Sequence, residues 1–186
     1  MPVRVTSATS TGDTLLYVGV TFRMSPESIL IAILAIFPHM SGNNRRCIAN
    51  QQERIAAQLR EVSEPIAPGA PVPPTELTAA VAFLETHLGC DINEGGNWGA
   101  PIDRNHRHTA GTHMSAVRVL SRGYERCGSW DGAVLRFRTG LCNPARQGAT
   151  PEVRRAGPAY LRTVQFILRR MRAYHETHGG ADHGVE

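Results

Sequence analysis

The chain has 186 residues, 41% of them hydrophobic, and a formal net charge of +4 in which every basic residue is an arginine. That is enough apolar material for one compact domain of ordinary core size and too little for two full domains. The longest apolar run, Ile29 to Phe37, stops at Pro38 and falls well short of the roughly 20 residues that span a bilayer. No membrane span is expected, and the positive balance favours an anionic partner.

Residues 1–24 read as an extension, with strand-like runs Val3-Arg-Val-Thr and Leu15 to Phe22 around a Ser-Thr-Gly-Asp turn. An isolated hairpin is marginal, so this part is taken as a hairpin or a flexible arm, with Met24 an alternative start. The run at Ile29 imitates the apolar part of a secretory signal. Arg23 is the only positive charge near it and Glu27 adjoins it, so Ser25-Pro26-Glu27 reads instead as a helix start. A helical domain is expected over 25–175 and a frayed tail over 176–186. The first helices fall at Pro26 to Phe37 and Arg45 to Val62, the second with Ile48, Ile55, Leu59 and Val62 on one face. A proline-rich loop, Pro65 to Pro74, leads into a third helix from Leu77 to Leu88, with Thr75 as its cap, Glu76 in its first turn and Gly89 as its stop.

Leu77, Val81, Leu84 and Leu88 form one stripe of that helix, and Glu85 falls on its edge. A carboxyl group held half-buried against apolar side chains tends to keep its proton, and can then deliver it to a leaving oxygen. The polar, Gly-rich stretch from Gly89 to about Thr109 is where a cleft can be built. Further helices carry Met114, Val117, Leu120 and Tyr124, then Trp130, Ala133, Val134 and Phe137 from a cap at Ser129 to a stop at Thr139-Gly140. The last carries Tyr160, Val164, Ile167, Leu168 and Met171. The fold class is therefore mainly α with about six helices, α+β if the N-terminal hairpin forms.

Four cysteines, Cys47, Cys90, Cys127 and Cys142, contain no Cys-x-x-Cys pair, which argues for disulfides over structural zinc. Cys127 and Cys142 flank one helix and are the expected pair, in keeping with an oxidising compartment. Reduced buried thiols remain the alternative.

Three segments, in this order, resemble the lysozyme-like superfamily, specifically the soluble lytic transglycosylase domain of bacteria and phages. They are Phe83-Leu-Glu-Thr86, similar to the family's helix ending in Glu-Ser; Gly96-Asn-Trp-Gly-Ala-Pro-Ile102, similar to its Gly-x-x-Gly-Leu-Met-Gln loop; and Ala133-Val-Leu-Arg-Phe-Arg-Thr-Gly140, similar to its Ala-x-x-x-Tyr-Asn-x-Gly. A fourth, Tyr160-Leu-Arg-Thr-Val164, resembles the closing Tyr-Val-x-x-Val segment. The resemblance covers about residues 45–172. It departs from the pattern at Ile102, Phe137 and Arg138, where the family has Gln, Tyr and Asn.

The resemblance implies a single lysozyme-like domain with a Gly-rich active-site loop. It implies that Glu85 is the catalytic acid, with Thr86, Gly96, Trp98, Gly99, Phe137 and Tyr160 lining the substrate side; Asp103, close downstream of Glu85, is read as a cleft residue or as a solvated turn or N-cap aspartate. Trp98 is read either as a sugar-stacking platform or as a loop aromatic closing the core, and Phe137 as a core residue. The implied reaction cleaves the β-1,4 bond between N-acetylmuramic acid and N-acetylglucosamine in peptidoglycan, as a lytic transglycosylase or a muramidase. One carboxyl group suffices, with no cofactor. Asp91, Glu94 and Asp103 are candidates for a second carboxylate, should an ordinary two-carboxylate glycosidase be at work. A competing zinc site would use His106, His108 and His113 with Cys90 or Asp91, but the spacing matches no known metal motif, and no metal is expected. Arg104, Arg107, Arg122 and Arg138 are available to anionic substrate groups or to solvent. The expected partners are glycan strands met by a monomer that is periplasmic, secreted or phage-associated, without a clear export signal and without nucleic acid. The alternatives are a catalytically weak wall-binding or phage and secretion-apparatus module, and third an arginine-rich nucleic-acid-binding helical protein.

Overall fold

In the computed structural model, the residues described are 24–90, 98–99 and 113–178. Among them the chain is mainly α, with seven helices and no strand. The expected N-terminal hairpin lies outside the described residues, as do Asp91, Glu94, Gly96, Ile102, Asp103, Arg104, His106, Arg107 and His108.

Helix α1 (Pro26–Ile36) begins as its sequence requires. Pro26 occupies the first turn and the Ser25 hydroxyl accepts the Ser28 N–H at 3.1 Å. The single helix expected from Arg45 to Val62 is two, α2 (Gly42–Asn50) and α3 (Gln52–Glu61), broken at Gln51. Gln51 leaves helical geometry with φ −117° and ψ 21°, and its N–H is shared between the carbonyls of Cys47 and Ile48. On one side of the break α2 holds Cys47 in a disulfide with Cys90, beyond the next two helices, and on the other α3 packs on α1. Apolar spacing alone does not reveal a break at which both halves keep their buried residues, Ile48 on one side and Ile55 and Leu59 on the other.

Helix α4 (Thr75–Thr86) is the centre of the molecule. It contacts α1, α3, α5 and α7, and its residues from Glu76 to Phe83 are all buried. The sequence suggests an amphipathic helix with one apolar stripe; in fact the alanines at 79, 80 and 82 let neighbours close in on every side. Thr75 is the first helical residue and not the cap. Pro74 takes the cap position without a side-chain hydrogen bond. Buried Glu76 instead accepts the backbone N–H of Met24 at 2.7 Å, tying the chain entering α1 to the start of α4.

Helices α5 (His113–Cys127) and α6 (Trp130–Thr139) form a close pair. A Cβ on Gly123 would stand 3.0 Å from the Cα and Cβ of Ala133, so any larger residue would require α6 to give by a few tenths of an ångström. The expected caps of α6 hold: the Ser129 hydroxyl accepts the Gly132 N–H at 3.1 Å and Gly140 closes the helix at φ 77°. The Cys127–Cys142 disulfide brackets α6 as anticipated. The long α7 (Pro151–His178) lays Tyr160, Val164, Ile167 and Met171 against α1, α4 and α6, and runs slightly beyond the expected fraying point at His175.

Both disulfides shorten the unfolded chain's reach. The Cys47–Cys90 bridge spans 43 residues and the Cys127–Cys142 bridge 15. Loop-closure entropy assigns about 4 kcal/mol to the first and about 3 kcal/mol to the second. Paired serine replacement at 47 and 90 should therefore lower the denaturant midpoint more than replacement at 127 and 142. Equal or reversed losses would show that native-state contacts dominate.

Candidate active site

Glu85 lies in the last turn of α4 with its side chain 14% exposed. The turn after it sets its surroundings. The helix does not continue to Leu88 and stop at Gly89. It ends at Thr86, and His87, Leu88 and Gly89 all adopt positive φ, at 49°, 60° and 81°. Two consecutive non-glycine residues in this region are costly, by roughly 1–3 kcal/mol each. Thr86 helps hold the turn: its buried hydroxyl donates to the Ala82 carbonyl at 3.2 Å and accepts the Gly89 N–H at 3.0 Å. Leu88 is completely buried and the Cys47–Cys90 disulfide fixes the next residue but one. Thr86, expected on the substrate side, is thus a buried support of the backbone behind Glu85.

Three other segments meet the Glu85 side chain. Gly99 stands directly against it: a Cβ there would come within 2.2 Å of the Glu85 Cβ and 2.3 Å of its Cγ, and the Gly99 backbone has φ 75°. No other residue type fits that position on both counts. From α6, the Arg138 guanidinium Nη1 stands 3.9 Å from the Glu85 Oε1 as an ion pair, with the arginine side chain 51% exposed. From α7 comes Tyr160, whose buried hydroxyl makes no hydrogen bond of normal geometry among the described residues yet lies under the influence of the Glu85 carboxylate. Arg138 also stacks over the Tyr160 ring at 5.5 Å from its centroid.

The chemistry of Tyr160 is dictated by that position. Burial holds its phenol protonated far above the ordinary range. The nearby negative Glu85 acts in the same direction, and the positive Arg138, the smallest of these influences, opposes them. The phenol therefore stays protonated beside Glu85 well above the ordinary tyrosine range. The alkaline consequence has a definite sign. Below an ordinary tyrosine pKa of about 10 both folded and unfolded chains carry the proton. Above it only the unfolded chain loses the proton, and stability falls by up to about 1.4 kcal/mol per pH unit. Tyr160→Phe should remove that slope between pH 10 and 11 in denaturant titrations, relative to the parent, while changing little at neutral pH. An unchanged slope would show that the phenol titrates normally.

The remaining expected residues separate. Trp98 has no exposed surface and its ring lies 5.6 Å from that of His113, so it closes the core and offers no face to a sugar. Phe137 is likewise buried in the core. His113 opens α5 and pairs with Glu61 at 2.6 Å, tying the start of α5 to the end of α3. Cys90 is bound to Cys47 and supplies no thiolate to the competing zinc site. No group of three metal-ligating side chains comes together among the described residues. The feature that sequence reasoning placed least well is Arg138, read only as a departure from a motif and as a general contact for anions. Its signal was present, because Arg138 follows a core aromatic at the end of a capped helix, where the next side chain points away from the core.

The group so assembled is one shielded carboxyl, a neutral phenol facing it, an accessible guanidinium at its edge, and a glycine that lets a loop backbone reach its stem. In comparisons with known proteins no family model, curated protein or solved structure matches the chain, so the residues themselves carry the functional reading.

Proposed function

We propose that the chain is a lysozyme-like peptidoglycan-cleaving glycosidase with Glu85 as its single general acid and base. The observation that carries this reading is the convergence of Gly99, Arg138 and Tyr160 on the half-buried Glu85, because these residues come from the three segments that succeed it in the resemblance. Glu85 as the acid protonates the glycosidic oxygen between N-acetylmuramic acid and N-acetylglucosamine. The resulting carboxylate then takes the proton of the muramoyl C6 hydroxyl, whose oxygen closes a 1,6-anhydro ring on the sugar's own anomeric carbon. A water molecule in place of that hydroxyl gives hydrolysis instead. Tyr160 keeps a protonated hydroxyl beside the carboxyl group, and Arg138 offers an accessible cation to anionic groups of the strand.

Arg138 also favours a second reading, a wall-binding module of low catalytic power. A guanidinium paired with the carboxylate suits recognition of an anion at least as well as proton delivery. Digestion of purified peptidoglycan followed by mass spectrometry separates these. Anhydro-muramoyl ends identify a transglycosylase and reducing ends a hydrolase. Co-sedimentation with the polymer without fragment release identifies the binding module. Absence of both release and binding would overturn the assignment to the cell wall, whether the protein works in the periplasm, outside the cell or in a phage particle.

A further inference from the structure

The formal charge of the chain resolves into one helix. Helix α7 carries arginines at 154, 155, 162, 169, 170 and 172 against Glu152 and Glu176, a net of +4 equal to that of the whole chain, so the remainder is formally neutral. Glu152 pairs with Arg155 at 3.7 Å near the helix start. Arg162, Arg169 and Arg170 are exposed, and no acidic side chain pairs with them among the described residues.

Between them stands Phe166, 48% exposed and one of two large hydrophobic side chains open to solvent among the described residues. At 3.6 residues per turn, Arg162, Arg169 and Arg170 at i−4, i+3 and i+4 flank Phe166 on one face. That face is opposite the buried line of Tyr160, Val164, Ile167 and Met171. Folding explains the buried line and leaves the outer one without a purpose.

We infer that this outer face of α7 docks on the surface of an anionic lipid bilayer, with Phe166 set into the interface and Arg162, Arg169 and Arg170 against lipid phosphates. The four positions lie C-terminal to Pro158, the one proline inside the helix, on a stretch that can lie in the plane of the interface. No described helix is long and apolar enough to cross a membrane, so the contact is peripheral. Arginines alone would suit any polyphosphate. The aromatic needs an apolar layer or stacked bases beside the phosphates, and the two disulfides suit an oxidising compartment, where nucleic acid is not the ordinary polyanion.

Vesicle co-sedimentation tests this independently of any catalytic activity, using phosphatidylcholine alone and phosphatidylcholine mixed with phosphatidylglycerol. The protein is expected to bind only the anionic vesicles, less strongly as salt rises. Combined Arg162→Gln, Arg169→Gln and Arg170→Gln should weaken binding by roughly a hundredfold, from about fivefold per arginine at such a surface. Phe166→Ser should weaken it several-fold at every salt concentration. All four positions are exposed, so circular dichroism should show unchanged helix content. Equal binding to neutral vesicles, an unaffected triple variant, no vesicle binding, or tighter binding to a single-stranded oligonucleotide would each overturn the inference.

Discussion

On the proposed glycosidase reading, substitution of Glu85 by glutamine is expected to lower the rate of glycan-strand cleavage by about 10²–10⁴, the range associated with loss of a positioned general acid and base. The change keeps the size of the side chain, so it need not disturb Gly99 beneath the stem. It removes an ion pair with an arginine that is half exposed, and such pairs contribute about 1 kcal/mol or less. Stability should therefore stay within about 1 kcal/mol of the parent while activity collapses. Equal fragment release by both proteins would remove Glu85 from the chemistry. Collapse of activity together with a large loss of stability would assign it a structural role instead.

Gly99→Ala is expected to be among the most damaging single substitutions, although it adds one methyl group. The positive φ costs an alanine about 1–2 kcal/mol, and overpacking of a tight contact costs typically about 1–3 kcal/mol more. A loss of about 2–5 kcal/mol in denaturant unfolding is therefore expected. The overlap falls on the Glu85 Cβ and Cγ, so part of the cost should disappear in a Glu85→Ala background, which deletes the Cγ. A double-mutant cycle measures that coupling. If the two losses simply add, the strain belongs to the Gly99 backbone alone and the contact has room to yield. At the candidate site the same substitution should push the loop off the carboxylate and reduce cleavage even in the fraction that folds.

The caps and faces that rest on local chemistry were legible before any coordinates: Ser25 and Pro26 at α1, Ser129 and Gly140 around α6, and the buried line of α7. These depend on interactions within a turn or two of the chain. The break at Gln51 was not legible, because both sides of it keep a helical apolar pattern. Nor was the all-round burial of α4, since alanine fits an exposed face as readily as a crowded one. Within the candidate site, the position of Glu85 at a helix edge could be read from periodicity. Its neighbours could not be derived that way. Gly99 meets it through a missing Cβ, and Arg138 and Tyr160 arrive on separate helices; the order of the resemblance pointed to Gly99 and Tyr160, and nothing in it pointed to Arg138. Trp98 shows the limit in the other direction, since an aromatic among glycines reads equally as platform or plug, and burial makes it the plug.

The packing of α7 against both α1 and α4 has a consequence for how the site comes into being. The segment carrying Glu85 can become helical early, from local contacts, but Tyr160 reaches it only when a helix 75 positions further on has docked. Contacts of such sequence separation form late, because their loop-closure entropy must be overcome before they stabilise anything. A growing or partly folded chain therefore holds the carboxylate without its phenol and with one flank open. Competence at this site is then a property of the finished fold, switched on by its closing helix.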